Sequence, residues 1–131
     1  LELACQRVED RKTFGKKLSQ HQSIRENIAK SYAELEMARL LVHKTCWHID
    51  HHGVKPSIEL ISATKISVPL MIQAIIDRCM QMHGAGGLTE DWCMAEQFNY
   101  ARWCRQADGP DEVHQMALGK RIIQQHAEAS K

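Results

Sequence analysis

Three short runs in this 131-residue chain carry side chains able to do chemistry. Asp108 lies in Ala107-Asp108-Gly109-Pro110-Asp111-Glu112-Val113-His114, a turn followed by a helical pattern. On residue types alone, an Asp two residues before Pro110 reads first as the cap of that helix, with Gly109 ordinary in a turn. The other use of such a carboxylate, if it is partly desolvated and held close to a carbon acid, is as a general base. Arg11-Lys12-Thr13-Phe14-Gly15-Lys16 sets a guanidinium beside a hydroxyl, a ring and a glycine. That set can hold a diphosphate and stack a planar group, and it equally describes a solvated inter-helix turn. In Gln81-Met82-His83-Gly84-Ala85-Gly86-Gly87 the glycines can simply stop a helix; no strand precedes them, so the run is not a phosphate loop of the usual strand-to-helix kind.

Other groups read more plainly. His48 and His52, four apart on a helix, have the spacing of a zinc pair, but no third ligand is evident nearby, and histidines at a helix end are ordinarily solvated. Lys65 falls within an apolar seam and is expected to snorkel or pair. Trp92, Tyr100 and Trp103 fall on one short helix and are read as core or subunit interface. Five cysteines with no C-x-x-C pair, scattered among apolar helical positions, fit buried reduced thiols.

The elements that must position these groups are helical. With 44% hydrophobic residues and only three prolines, the chain suits one all-α domain. Ile24, Ile28, Leu35, Ala38, Val42 and Ile49 mark one face of a helix from Ser19, its expected N-cap, to about His52, with Gly53 beyond its end. Ile58, Ile61, Val68, Ile72, Ile75, Cys79 and Met82 form the seam of a second long helix that opens after Pro56-Ser57, contains Pro69 and closes at Gly84. Thr89 or Asp91 is expected to cap a shorter helix running to about Cys104. A loop follows over 105–109, then a last helix from Pro110 or Asp111 to about Ala127. With the helical stub Leu1 to Val8, the expected fold is an up-and-down four-helix bundle with its loops at the ends.

Seventeen basic and 16 acidic side chains, interspersed, give a net charge of +1, which argues against a nucleic-acid or anionic-lipid partner. No apolar run reads as the roughly 18 residues of a membrane span, and no leader pattern opens the chain, so it is expected to be soluble. It opens on Leu1 already in helical pattern, and is expected to be a piece of a longer protein.

Taken together, in their order and spacing, the three runs and His21-Gln22 resemble the carboxy-terminal helical domain of acyl-CoA dehydrogenases, from Arg11 through Val113. The resemblance implies FAD as cofactor. Arg11 and Thr13 would meet its pyrophosphate, Phe14 would pack on it, and His21 and Gln22 would sit at its adenosine end. Gln81 and Gly84 match the family's Gln-x-x-Gly-Gly-x-Gly, with Ala85 replacing the second glycine; this backbone approaches the same cofactor. In the family, both blocks contact the FAD of a neighbouring subunit. Asp108-Gly109-Pro110 aligns with a Glu-Gly-Thr segment whose carboxylate is the general base, and matches the branch reading Ala-Asp-Gly-Pro-Asp-Glu-Val-His.

The resemblance therefore implies that Asp108 takes the α proton of an acyl-CoA bound beside Gly109. It further implies β-hydride transfer to the flavin, a trans-2-enoyl-CoA product and a role in fatty-acid β-oxidation. Pro110 lacks the hydroxyl and amide of the usual Thr, and Glu112 replaces a common Gln while keeping the ability to bond a ribose hydroxyl. An electron-transfer flavoprotein as acceptor, a homodimer or homotetramer, and a mitochondrial or peroxisomal home follow from the same resemblance. The alternative is a non-catalytic helical oligomerisation or interaction domain that retains the scaffold. An acyl-CoA oxidase, which has a longer helical region, fits less well.

Overall fold

The computed structural model describes residues 1–130. Five α-helices dominate: α1 Glu2–Asp10, α2 Gln22–His52, α3 Ile58–His83, α4 Met94–Cys104 and α5 Asp111–Ala129. The all-α up-and-down bundle expected from the apolar periodicity is what forms. The long helices α2 and α3 run antiparallel, and α3 is central, packed against α1, α2, α4 and α5.

The α2–α3 register can be read from its cross-links. Near the connection between the two helices, the Thr45 hydroxyl lies 2.8 Å from that of Thr64, and His48 Nδ1 lies 2.8 Å from Ser57 Oγ. Far from that connection, Glu34 pairs with Arg78. Ser31, Thr45, Ser57 and Ser62 are buried, small enough to let the backbones approach closely. Thr45 and Ser57 return their hydroxyl protons to Leu41 and Gly53 carbonyls, so their burial leaves no donor unpaired. The densest apolar packing is at the other end. There Ala4 and Val8 of α1 meet Ile75, Cys79 and Met82 of α3 and Met94 of α4, flanked by Ile24, Ile28 and Leu35 of α2. Burial pushes the Cys79 thiol pKa up.

Helix ends follow the sequence in part. Gly53 ends α2 at φ 80° and Gly84 ends α3 at φ 62°, backbone angles that cost glycine nothing. Helix α3 runs unbroken through Pro69. The N-cap expectations fail. Ser19 lies in a 3₁₀ turn, Leu18–Gln20, where the Gln20 side chain accepts the Lys17 amide, and extended His21 precedes α2. Thr89 Oγ1 donates to the Gly86 carbonyl, so neither it nor Asp91 caps α4, which starts at Met94 after Cys93. Trp92 accordingly lies ahead of that helix, edge-on to buried His83 with ring centroids 4.8 Å apart. Only Tyr100 and Trp103 share α4.

Three further expectations are corrected. Residues 11–17 are not a plain loop but a minimal hairpin, with β1 Lys12–Thr13 antiparallel to β2 Lys16–Lys17 and its tip, Phe14 and Gly15, at φ 51° and 79°. Two successive positive φ angles are what a tight two-residue hairpin demands. Lys17 pairs with Glu9 of α1 and holds its carboxyl pKa below the usual range. This tie is complete above the ordinary carboxylate pKa and is lost as pH falls through the lowered folded-state value.

The cysteines do not behave as a buried set. Cys79 is buried, Cys104 half-buried, and Cys5, Cys46 and Cys93 exposed, all five free. Helical periodicity places Cys5 and Cys46 on outward faces despite their apolar neighbours, and Cys93 lies in the turn ahead of α4. Finally, Lys55–Leu88 is a helical stretch long and apolar enough to cross a membrane, with a mean hydropathy of 1.4 over its best window. The expectation that no run approaches that measure was too strict. Four other helices contact α3, yet only 11% of that window is buried within this chain.

Gly87 is fixed by packing. A Cβ there would stand 2.7 Å from the Met80 carbonyl oxygen and 2.9 Å from Met80 Cα, both rigid backbone of α3. Gly87→Ala is expected to destabilise the protein by about 2 kcal/mol through overpacking, read as a lowered denaturation midpoint at unchanged slope.

Candidate active site

The turn before α5 shows that Asp108 is not a helix cap. Asp108 is one of two non-glycine residues with positive φ among the described residues, at 55°, and Gly109 follows at 99°. Left-handed backbone is strained for a side chain with Cβ, though Asp tolerates it better than most. Asp108 does not cap α5: the N-cap is Pro110, with no side-chain bond to the helix amides. The capping use, preferred on residue types, is thus corrected. The two left-handed residues turn Asp108 away from the helix start. Its side chain is exposed and lines a cleft of about 650 Å³ with Ile49, Ile61, Val68, Tyr100 and Trp103.

Three anchors hold this turn. Lys65 Nζ donates to the Cys104 carbonyl at the C-terminal end of α4, so it acts as a structural cation, as its place in the seam predicts. Arg105 Nε donates to Asp111 Oδ2 at 2.7 Å and its Nη1 to Gln73 Oε1 at 3.2 Å. His114, on the second turn of α5, reaches back to the Asp108 carbonyl, 3.1 Å from its Nε2. Asp111 and His114 lay unassigned within the motif. An acid at a helix start is common, so nothing in the sequence marked Asp111 as buried.

That burial has a measurable consequence. Asp111 is 3% exposed and its Oδ1 has no hydrogen-bond partner; among the described residues Arg105 is the one cation paired with it. Arg105→Leu strands the carboxylate, and a loss of about 3 kcal/mol in unfolding free energy is expected by chemical denaturation.

The cofactor candidates gather elsewhere. Arg11 leads into the hairpin; Thr13 is on β1, and Phe14 at the tip is 97% exposed, a full ring in water on a strained backbone. His21 Nε2 is buried without a partner, 6.5 Å ring to ring from Phe14. Gln22 is exposed and donates to Glu26. At the C-terminal end of α3, Gln81, Gly84 and Ala85 are exposed and line a concavity of about 340 Å³ with Asp77, Met80 and Leu88. Ala85 lies in the 3₁₀ turn Gly84–Leu88 without positive φ, so replacing glycine there costs the backbone nothing. An orphaned ring nitrogen, a bare aromatic ring and unencumbered glycine backbone fit a large planar, phosphorylated ligand laid across this end.

Because α2 and α3 are antiparallel, the α2 start and the α3 end lie at one end of the molecule. Asp108, Gly109 and Glu112, the last exposed on the first turn of α5, lie by Ser62 and Lys65 toward the other end. Sixteen residues of helix separate Lys65 from Gln81, roughly 24 Å. The structure therefore sets the diphosphate candidates toward one end of the bundle and the carboxylate with its glycine toward the other. His48 and His52 rings are 4.4 Å apart, with His48 Nδ1 engaged by Ser57. Among the described residues no cluster of three or more His, Cys, Asp or Glu could hold a metal.

Acyl-CoA dehydrogenase family member 10 of Mus musculus is 44% identical over 120 residues, 92% of this chain and 11% of that protein. Family member 11 of Gallus gallus is 40% identical over 120 residues, 92% of this chain and 15% of that protein. A solved structure of a glutaryl-CoA dehydrogenase from Mycobacterium smegmatis in complex with FADH2 superposes at a TM-score of 0.86 with 27% identity, over 92% of this chain and 31% of that one. The chain thus spans a small part of the proteins it matches. The family model of the acyl-CoA dehydrogenase C-terminal domain matches residues 1–123, and the chain belongs to that family.

Proposed function

We propose that this chain is the C-terminal domain of an FAD-dependent acyl-CoA dehydrogenase in which Asp108 is the general base. The observation that carries this reading is the left-handed Asp108, freed from capping duty and facing a largely apolar cleft. The α carbon of a thioester is a weak acid, so its proton needs a carboxylate within hydrogen-bond reach in surroundings that exclude water. Asp is one methylene shorter than Glu, and Gly109, with no side chain, lets the substrate approach closely enough to make up the difference. Asp108 takes the α proton and becomes a carboxylic acid as the trans-2-enoyl-CoA forms.

Arg11 and Thr13 would hold the diphosphate of FAD, with Phe14, His21, Gln22, Gln81, Gly84 and Ala85 along its length and Glu112 near a ribose. When bound, FAD supplies the two-electron acceptor for the β hydrogen. Since these groups and Asp108 lie at opposite ends of one chain, they would serve two different sites, which calls for a homodimer or homotetramer. An electron-transfer flavoprotein is the proposed re-oxidant, acyl-CoA esters of fatty-acid β-oxidation the substrates, and a mitochondrion or peroxisome the setting. The test is to express the intact parent protein, measure bound FAD and assay enoyl-CoA formation over an acyl-CoA panel with an artificial electron acceptor. A parent that folds without FAD would instead favour a scaffold that has lost its chemistry.

A further inference from the structure

We propose that His114 is a positioning residue for Asp108, transmitting the rigidity of α3 to the base through Ser62; this rests on the assignment of Asp108 above. A carbonyl only accepts, so Nε2 of His114, 3.1 Å from the Asp108 carbonyl oxygen, carries the proton. In the neutral ring Nδ1 is then an acceptor, and the Ser62 hydroxyl, 3.4 Å away, is its donor. Ser62 is 5% exposed on the central helix, so the far end of this chain of contacts is fixed. The ring is also wedged against the turn: a Cβ on Gly109 would lie 3.2 Å from Nε2. Histidine thus bonds the carbonyl of the one strained residue in the turn and packs on the next.

The physical need is specific. A left-handed Asp drifts toward commoner backbone angles unless its surroundings hold it, and such a drift swings the carboxylate back toward the α5 amides that it could cap. Misplacement of a catalytic group by about 1 Å can cost 10²-fold in rate. His114 touches only the main chain of Asp108, and its effect on chemistry is therefore one of aim.

The experiment uses the intact FAD-loaded parent with His114→Leu, His114→Gln, Ser62→Ala and Asp108→Asn. His114→Leu is expected to lower kcat by about 10- to 100-fold with KM for the acyl-CoA and FAD content unchanged, and to raise the isotope effect with α-deuterated substrate. His114→Gln, which keeps a donor near the Nε2 position, should recover most of the rate, and Ser62→Ala should lie between. Hydrogen–deuterium exchange should quicken in residues 105–112 of His114→Leu and nowhere else. An unchanged kcat in His114→Leu, with Asp108→Asn inactive, would overturn the positioning role and leave the base intact. Equal losses in the Leu and Gln variants accompanied by falling FAD content would show a structural role and overturn it too. Full activity in Asp108→Asn would remove the base, and this inference with it.

Discussion

Asp108→Asn in the intact parent protein is expected to lower kcat by at least about 10²-fold, the usual lower bound for removing a general base, while leaving FAD content and the unfolding midpoint close to wild type. The substitution is a clean one for this site. Asn is near-isosteric with Asp and tolerates the left-handed φ of 55° as well, so the backbone has no reason to move. No helix cap is lost, because the start of α5 does not use this side chain. What disappears is the carboxylate's ability to accept a proton. If Asp108 were instead a cap in the working protein, Asn would replace it almost without effect on stability, and turnover would persist. Stopped-flow turnover with a single acyl-CoA therefore separates the two uses of the residue.

Mixing two crippled variants is expected to regenerate activity. Asp108→Asn removes the base at one end of the chain; Arg11→Glu places a negative charge where the diphosphate is proposed to lie, at the other. If each site takes its base from one subunit and its diphosphate contacts from another, a dimer of one Asp108→Asn and one Arg11→Glu chain holds one doubly damaged site and one intact site. Random assortment makes half the dimers mixed, each with one of two sites working, so about a quarter of wild-type activity should return. Both variants assayed alone should stay near background. If one chain supplied both groups to its own site, every site in the mixture would be damaged and no activity would return. Co-expression with two affinity tags, followed by tandem purification of mixed dimers, gives the direct measurement.

The fold was legible because its information is local and periodic. The positions Ile24 to Ile49 and Ile58 to Met82 lie on helix faces, and Gly53 and Gly84 stop those helices through backbone angles that other residues resist. N-terminal boundaries were less legible because polar residues that could cap were used otherwise: Ser19 lies within a 3₁₀ turn that Gln20 closes on Lys17, and Thr89 bonds Gly86. The hairpin at 12–17 escaped notice because two residues per strand carry no alternation to read. The diphosphate candidates were found by motif, and their shared location at one end follows from the antiparallel pairing of α2 and α3. His114, Ser62 and the Arg105–Asp111 pair had no comparable signal, since their importance lies in contacts over separations of up to 52 residues.

By itself the sequence determined a helical bundle, the family, and which residues are chemically able to act. Only the tertiary structure took Asp108 out of the cap position, because capping and proton abstraction ask for the same side chain and differ in the backbone angle beneath it. Around that angle the fold sets Gly109, the Arg105–Asp111 pair and the His114 contact, none of which residue type alone specifies. Likewise, motifs placed in one chain by sequence order were sorted to opposite ends by helix length and direction, a matter of some 24 Å that no spacing along the chain reveals.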